Sequence, residues 1–179
     1  NMQKAETLYR KSLNMARKIG NKTIEIETLI NMGILYSATS RAGTALQLLN
    51  QALFLSEIEG DVLNKIQSYI CIGNYFSHFA LNNMKSYNYY IIVKNICEAG
   101  NYRLFLPRHY ISIGAPFIYS EPDKSLKYFH KALDTAKLTE HPFTIIKTLI
   151  SIVQFYKYAG KNQEAQAFFR KEILNLQKS

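Results

Sequence analysis

Four histidines and two cysteines are the residues of this chain best suited to metal ligation, proton transfer or nucleophilic attack. Their spacing supports none of these. His78, His109, His130 and His141 form no HExxH pair and no other ligand spacing. Cys71 and Cys97 stand apart, without a CxxC or a Cys/His cluster, which excludes a zinc finger and a disulfide framework. Such cysteine usage favours a reducing, intracellular setting, and the expected localisation is cytoplasmic. No phosphate-cradling glycine loop and no GxSxG motif occurs. The expectation is a chain that is not an enzyme and that needs no metal or cofactor.

Charge offers a second kind of chemistry. Lys and Arg number 22 against 13 acids, a net charge of +9. The excess is clearest near the start, where Lys4, Arg10, Lys11, Arg17 and Lys18 share the helical face opposite Ala5, Tyr9 and Leu13. A second basic set is Lys124, Lys127, Lys131 and Lys137. Either is able to attract phosphates or carboxylates. No recognised nucleic-acid module accompanies them, and a solvated lysine-rich face is the plainer reading.

These residues must be carried by helices. Only 8 Gly and 4 Pro occur in 179 residues, few for an all-β chain with many tight turns. Hydrophobic residues at 47% and charged residues at 20% suit a folded, soluble protein rather than a disordered one. No run approaches the roughly 18 apolar residues of a membrane span, and residues 1–6 lack the apolar stretch of a secretion signal. No membrane partner is expected.

The order of the helices follows from a period of forty. Positions 5, 45, 85, 125 and 165 read Ala, Ala, Lys, Ser, Ala; positions 9, 49, 89, 129 and 169 read Tyr, Leu, Tyr, Phe, Phe; positions 13, 53, 93, 133 and 173 read Leu, Leu, Val, Leu, Ile. Gly20, Gly60 and Gly100, with Glu140 in the fourth slot, punctuate the same beat as helix terminators. Asn21, Asp61 and Asn101 follow as caps for the next helix.

Each period splits into two helices. Leu29, Met32, Gly33 and Tyr36 share one helical face; Ser40 offers an N-cap; Ala45, Leu49, Ala52, Leu53 and Ser56 form the stripe of the second helix. Tyr69, Ile72, Gly73 and Phe76, then Tyr89, Ile92, Val93 and Ile96, repeat this. So do Leu149, Ile152, Val153 and Tyr156 with Ala165, Phe169, Ile173 and Leu176. In the third unit Tyr110, Ile113, Gly114 and Phe117 arrive one residue late. Pro107 and Pro116 predict a kinked or broken helix between about 102 and 119. Ser120 with Asp123 reads as a capping box for the helix after it. The opening segment has the second-helix pattern with no first helix before it. The chain is therefore expected to be a piece of a longer protein: one repeat domain over 1–179, made of a second helix (1–20) and repeats at 21–60, 61–100, 101–140 and 141–179.

Met32-Gly33…Tyr36 followed by Ala45…Leu49…Ala52 resembles the tetratricopeptide repeat signature, as does Ala165…Phe169 after Tyr156-Lys157-Tyr158-Ala159-Gly160. Lys85, Ile92, the absence of tryptophan and the forty-residue period depart from the family pattern. The resemblance implies an all-α, right-handed superhelical solenoid of antiparallel helix pairs that binds a protein or peptide without catalysis. Forty-residue variants of this kind look like those of bacterial signalling proteins and peptide-responsive transcription regulators. The expected role is thus the sensor or scaffold region of such a protein, with a partner in a concave groove.

In such stacks the first helices line the groove. The column Ile30, Ile70, Ile111 and Ile150 either grips a partner or packs the first helices together. Beside it lie Ile34 and the amides Asn31, Asn74 and Gln154, which have no obvious packing use on that surface. Further round are His78, Tyr119, Lys157 and Tyr158, with Gln67, Arg108 and Lys147 near the helix starts. An apolar ridge flanked by amides and cations suits a peptide. A nucleic-acid-binding solenoid and a self-associating homo-oligomer are the alternatives.

Overall fold

The computed structural model describes residues 2–39, 41–78 and 80–176, with Leu176 described by its backbone alone. Among these residues there are nine α-helices, one 3-10 turn and no strand: α1 (Met2–Ile19), α2 (Lys22–Ser37), α3 (Ala42–Ile58), α4 (Val62–His78), α5 (Asn83–Ala99), α6 (Leu106–Gly114), the 3-10 turn (Ala115–Phe117), α7 (Pro122–Lys137), α8 (Pro142–Tyr158) and α9 (Asn162–Leu176). The pairs α2/α3, α4/α5, α6/α7 and α8/α9 fall within the four repeats read from the sequence. No described helix is long and apolar enough to cross a membrane.

The chain divides into two compact units, Asn1–Val93 and Lys94–Ser179, and the division falls within α5. In the first unit Leu13, Ile26, Leu29, Met32, Tyr36, Leu49 and Ile72 form a closed core. In the second, Phe129, Leu133, Ile145, Leu149, Ile152 and Phe155 do the same. The ring centroids of Phe129 and Phe155 lie 4.9 Å apart, edge to face.

In three of the four first helices a glycine sets the closeness of the pair; in α8 the position is Val153. A Cβ on Gly33 would lie 2.7 Å from the Leu49 side chain, one on Gly73 2.6 Å from the Tyr90 ring, and one on Gly114 2.8 Å from the Phe129 ring. These contacts correct the expected stripe of α5. Its buried residues are Ser86, Tyr90, Val93 and Cys97, one position later than 85, 89, 92 and 96. The connection is longer by one: 13 residues lead from Gly73 to the buried Ser86, against 12 from Gly33 to the buried Ala45. Lys85 is exposed for that reason, and it occupies no small-residue slot.

The helix ends behave as expected in the first two repeats. Asn21 Oδ1 accepts from the Ile24 N–H at 3.0 Å, and Asp61 Oδ1 accepts from that of Asn64 at 3.0 Å. The third repeat differs. The left-handed residue there is Asn101 (φ 56°), not Gly100, and Asn101 caps no helix. Helix α6 begins only at Leu106, so Pro107 sits in its first turn, where the missing N–H breaks no bond. Pro116 lies in the 3-10 turn that ends it. The broken first helix is therefore present, but Pro107 starts it and does not kink it. The expected capping box is absent: Pro122 occupies the first turn of α7, the cap residue is Glu121, and no side chain bonds the cap. Ser40 lies outside the described residues; Arg41 precedes α3 without a side-chain cap.

Glu140 is left-handed (φ 53°), in the role that Gly20, Gly60 and Gly160 fill at φ 66–73°. A side chain there costs about 1–2 kcal/mol, against roughly 0.5–1 kcal/mol of extra unfolded-state entropy for glycine. Glu140→Gly is expected to raise Tm by about 2 °C. A lowered Tm in a thermal melt would show that the Glu140 side chain stabilises this turn.

Candidate functional site

In the first unit the proposed apolar ridge is filled. Helix α4 packs directly against α2. Ile30 and Ile70 are 3% and 2% exposed, so they are core residues and offer a partner no surface. Gln67 is half-buried and donates to Cys71 Sγ at 3.4 Å. The Asn74 amide does have a packing use, since its Oδ1 accepts from the Tyr90 hydroxyl at 2.7 Å. Asn31, Ile34 and His78 remain on the surface.

The second unit is open where the first is closed. Helices α6 and α8 flank a cavity of about 240 Å³. Leu104, Phe105, Pro107, Ile111 and Phe143 give it apolar walls; Thr144, Thr148 and Ser151 supply hydroxyls; Arg108 and Lys147 bring the charge. Two of these hydroxyls are committed to their own helix, Thr148 to the Thr144 carbonyl at 2.8 Å and Ser151 to that of Lys147 at 3.1 Å. Lys147 Nζ lies 5.6 Å from the Phe143 ring centroid. Of the residues singled out by sequence, Arg108, Ile111 and Lys147 converge here. Ile150, Gln154, Lys157 and Tyr158 lie on the exposed face of α8, and Tyr119 is exposed in the turn after the 3-10 segment.

Sequence reasoning missed Leu104, Phe105 and Phe143. The first two were assigned to a helix that had not yet begun. Phe143 lies one residue into α8, outside the periodic stripe, and its 66% exposure is the signal that marks it.

The basic face of α1 is less free than its sequence implies. Arg17 Nε meets Glu25 at 2.8 Å, and Arg10 meets Glu6 at 3.0 Å. Glu6 also accepts from Arg41 at 2.6 Å and from the Tyr36 hydroxyl at 2.7 Å. The bonds from Arg41, Tyr36 and Arg10 hold its carboxyl down at about 2. In the second basic set Lys124 pairs with Glu121 at 3.2 Å, Lys131 with Glu98 at 3.7 Å and Lys137 with Glu172 at 2.7 Å. Five of these nine cations, Arg10, Arg17, Lys124, Lys131 and Lys137, thus have an acidic partner within the protein.

Cys71 and Cys97 are buried. Burial pushes the Cys97 thiol up to about 11, so it is an apolar filler and no nucleophile at neutral pH. No cluster of three or more ligating side chains occurs among the described residues.

The helix pairs of the two units are those of an all-α helical-repeat protein. Residues 1–57 match the tetratricopeptide repeat family. The architecture of the chain is consistent with a tetratricopeptide repeat protein. Among solved structures, BtubC (BKLC) from P. vanneervenii is 18% identical with a TM-score of 0.74, covering 96% of this chain and 74% of that one. The apo form of RapI is 16% identical with a TM-score of 0.74, covering 96% of this chain. The chain spans 62% of RapI. No curated protein matches the chain.

Proposed function

We propose that this chain is a non-catalytic polypeptide-binding module, the sensor or scaffold part of a larger bacterial regulatory or signalling protein. Its partner's side chains enter the α6/α8 cleft. The observation that carries this reading is the cleft itself: apolar walls with Arg108 and Lys147 at the edge, on the first-helix side of a fold that works by recognition. Its tetratricopeptide likeness supports a protein or peptide as the ligand.

Panning a displayed library of random peptides on the immobilised protein tests the reading. Binders selected on wild type should lose at least about tenfold in affinity on Phe143→Ala/Lys147→Ala. Both side chains are exposed, so Tm should hold. Failure to enrich any peptide, or binders indifferent to the double variant, would move the site off this cleft.

A further inference from the structure

Helix α6 starts late, and the cleft lies where its missing turn would be. At four other helix ends a left-handed residue is followed, two residues on, by the next helix: Gly20 by Lys22, Gly60 by Val62, Glu140 by Pro142 and Gly160 by Asn162. After α5 the left-handed residue is Asn101, so the same rule would start α6 at Arg103. It starts at Leu106. Arg103, Leu104 and Phe105 stay outside the helix, almost a full turn at 3.6 residues per turn. They are held in tight turns, with the Phe105 N–H donating to the Tyr102 carbonyl at 3.1 Å and the Leu106 N–H to that of Arg103 at 3.3 Å. Leu104 and Phe105 line the cleft together with Phe143 and Thr144, from the first turn of α8.

The delay has its cause in the chain itself. Arg103, Leu104 and Phe105 include no helix breaker. The cap position would fall on Tyr102, which cannot cap, yet α3, α7 and α8 also begin without a side-chain cap. Pro107 is the obstacle. In a helix begun at Arg103, its nitrogen sits where the Arg103 carbonyl needs a donor, four residues back, and its ring strikes that carbonyl. In the first turn of the helix as it stands, the missing N–H breaks no bond. Ile111 shows the consequence. Ile30, in the same slot of a first helix that begins on schedule, is buried, whereas Ile111 is half-buried on the wall of the cleft.

We propose that Pro107 is the positioning residue that holds the α6/α8 cleft open. By forbidding the first turn of α6, it leaves beside α8 the space that a partner's side chains fill. With that turn wound, α6 and α8 would meet in a closed seam and the cleft would be lost. This rests on the cleft being the binding site and adds what creates it.

Pro107→Ala in the whole chain provides the test. By NMR, the Cα chemical shifts of Arg103, Leu104 and Phe105 should move to helical values, while Tm does not fall. Closure is read without any ligand through Thr144→Cys. Cys71 and Cys97 are buried, so a thiol reagent reports the introduced thiol alone. Its labelling should slow at least about tenfold when Pro107→Ala is added. Peptides selected on wild type should lose at least about tenfold in affinity for Pro107→Ala. Pro107→Gly deletes the ring just as fully but disfavours helix, so it should wind less and lose less affinity. Pro122→Ala, in the first turn of α7, should change neither labelling nor binding. Unchanged shifts at residues 103–105, undiminished labelling in a wound variant, or equal losses of affinity in the alanine and glycine variants without winding would overturn the proposal. If the segment winds and the thiol is shielded, the role of Pro107 stands. Should peptide affinity then be undiminished, or no peptide ever enrich, it is the reading of the cleft as the binding site that falls.

Discussion

Phe129→Ala is expected to cost about 3–5 kcal/mol, whereas Phe169→Ala, at the same position of the forty-residue period, should cost only about 1 kcal/mol. The sequence treats these two residues alike. The structure does not. Phe129 is 2% exposed, meets Phe155 edge to face, and its ring lies against Gly114, with no room for a methyl group between them. Truncating it removes most of a buried aromatic and leaves a cavity that two rigid helices cannot close. Phe169 is 40% exposed, and in α9 the ring that packs inward is its neighbour Phe168, set against Tyr156 at 5.6 Å. Denaturant unfolding followed by circular dichroism reads the difference as a shift in midpoint at constant slope. Equal losses for the two variants would mean that Phe169 is as much a core residue as Phe129.

Acidification is expected to remove about 3 kcal/mol of stability through one residue, His109. Its side chain is fully buried, and neither ring nitrogen has a hydrogen-bond partner among the described residues. Burial, helped by the charge of Arg108, pulls its pKa from the ordinary 6.5 down to about 4. The folded protein therefore holds the imidazole neutral while the unfolded chain protonates it near 6.5. The stability it confers is complete above pH 6.5, declines as pH falls toward 4, and is gone below that value. The gap between the two pKa values corresponds to about 3 kcal/mol at 1.36 kcal/mol per unit. His109→Leu, similar in volume and unable to take a proton, should be at least as stable at pH 7. Relative to that variant, wild type should lose the whole amount between pH 7 and about 3.5. Parallel pH profiles for the two proteins, or a His109 titration by NMR near 6.5, would show that the ring reaches solvent or an acceptor.

His109 also illustrates how the repeat governs burial. The corresponding positions of the other first helices are Thr28, Ser68 and Thr148, all buried. Thr28 finds Ser12 at 3.1 Å and Thr148 bonds its own helix at 2.8 Å. This slot faces inward whatever occupies it, so a large titratable ring placed there is forced out of water by its position. The spacing of the histidines already spoke against a ligand or a base; the slot adds that the His109 ring is shut away from water.

What the sequence determined by itself is the part of the structure governed by local, repeating chemistry. The number of helices, their pairing and most of their ends follow from the forty-residue period, the Gly and Asn/Asp punctuation, and the proline-broken third unit. Each depends on residues within a turn or two of one another. The tertiary structure alone decided which of the repeated positions are covered. Ile30 and Ile150 are the same residue in the same slot, yet one is 3% exposed and the other 47%: α4, the first helix that follows, packs against α2, and no first helix follows α8 among the described residues. In α5 the buried stripe falls on Ser86 and Tyr90, not on Lys85 and Tyr89, because the segment from Gly73 to that stripe is one residue longer than its counterpart after Gly33. Arg10 and Arg17, a basic face in sequence, became the partners of Glu6 and Glu25. A periodic sequence specifies each helix's faces, but which face is left to meet a partner depends on packing between residues distant in the chain, and no local pattern encodes it.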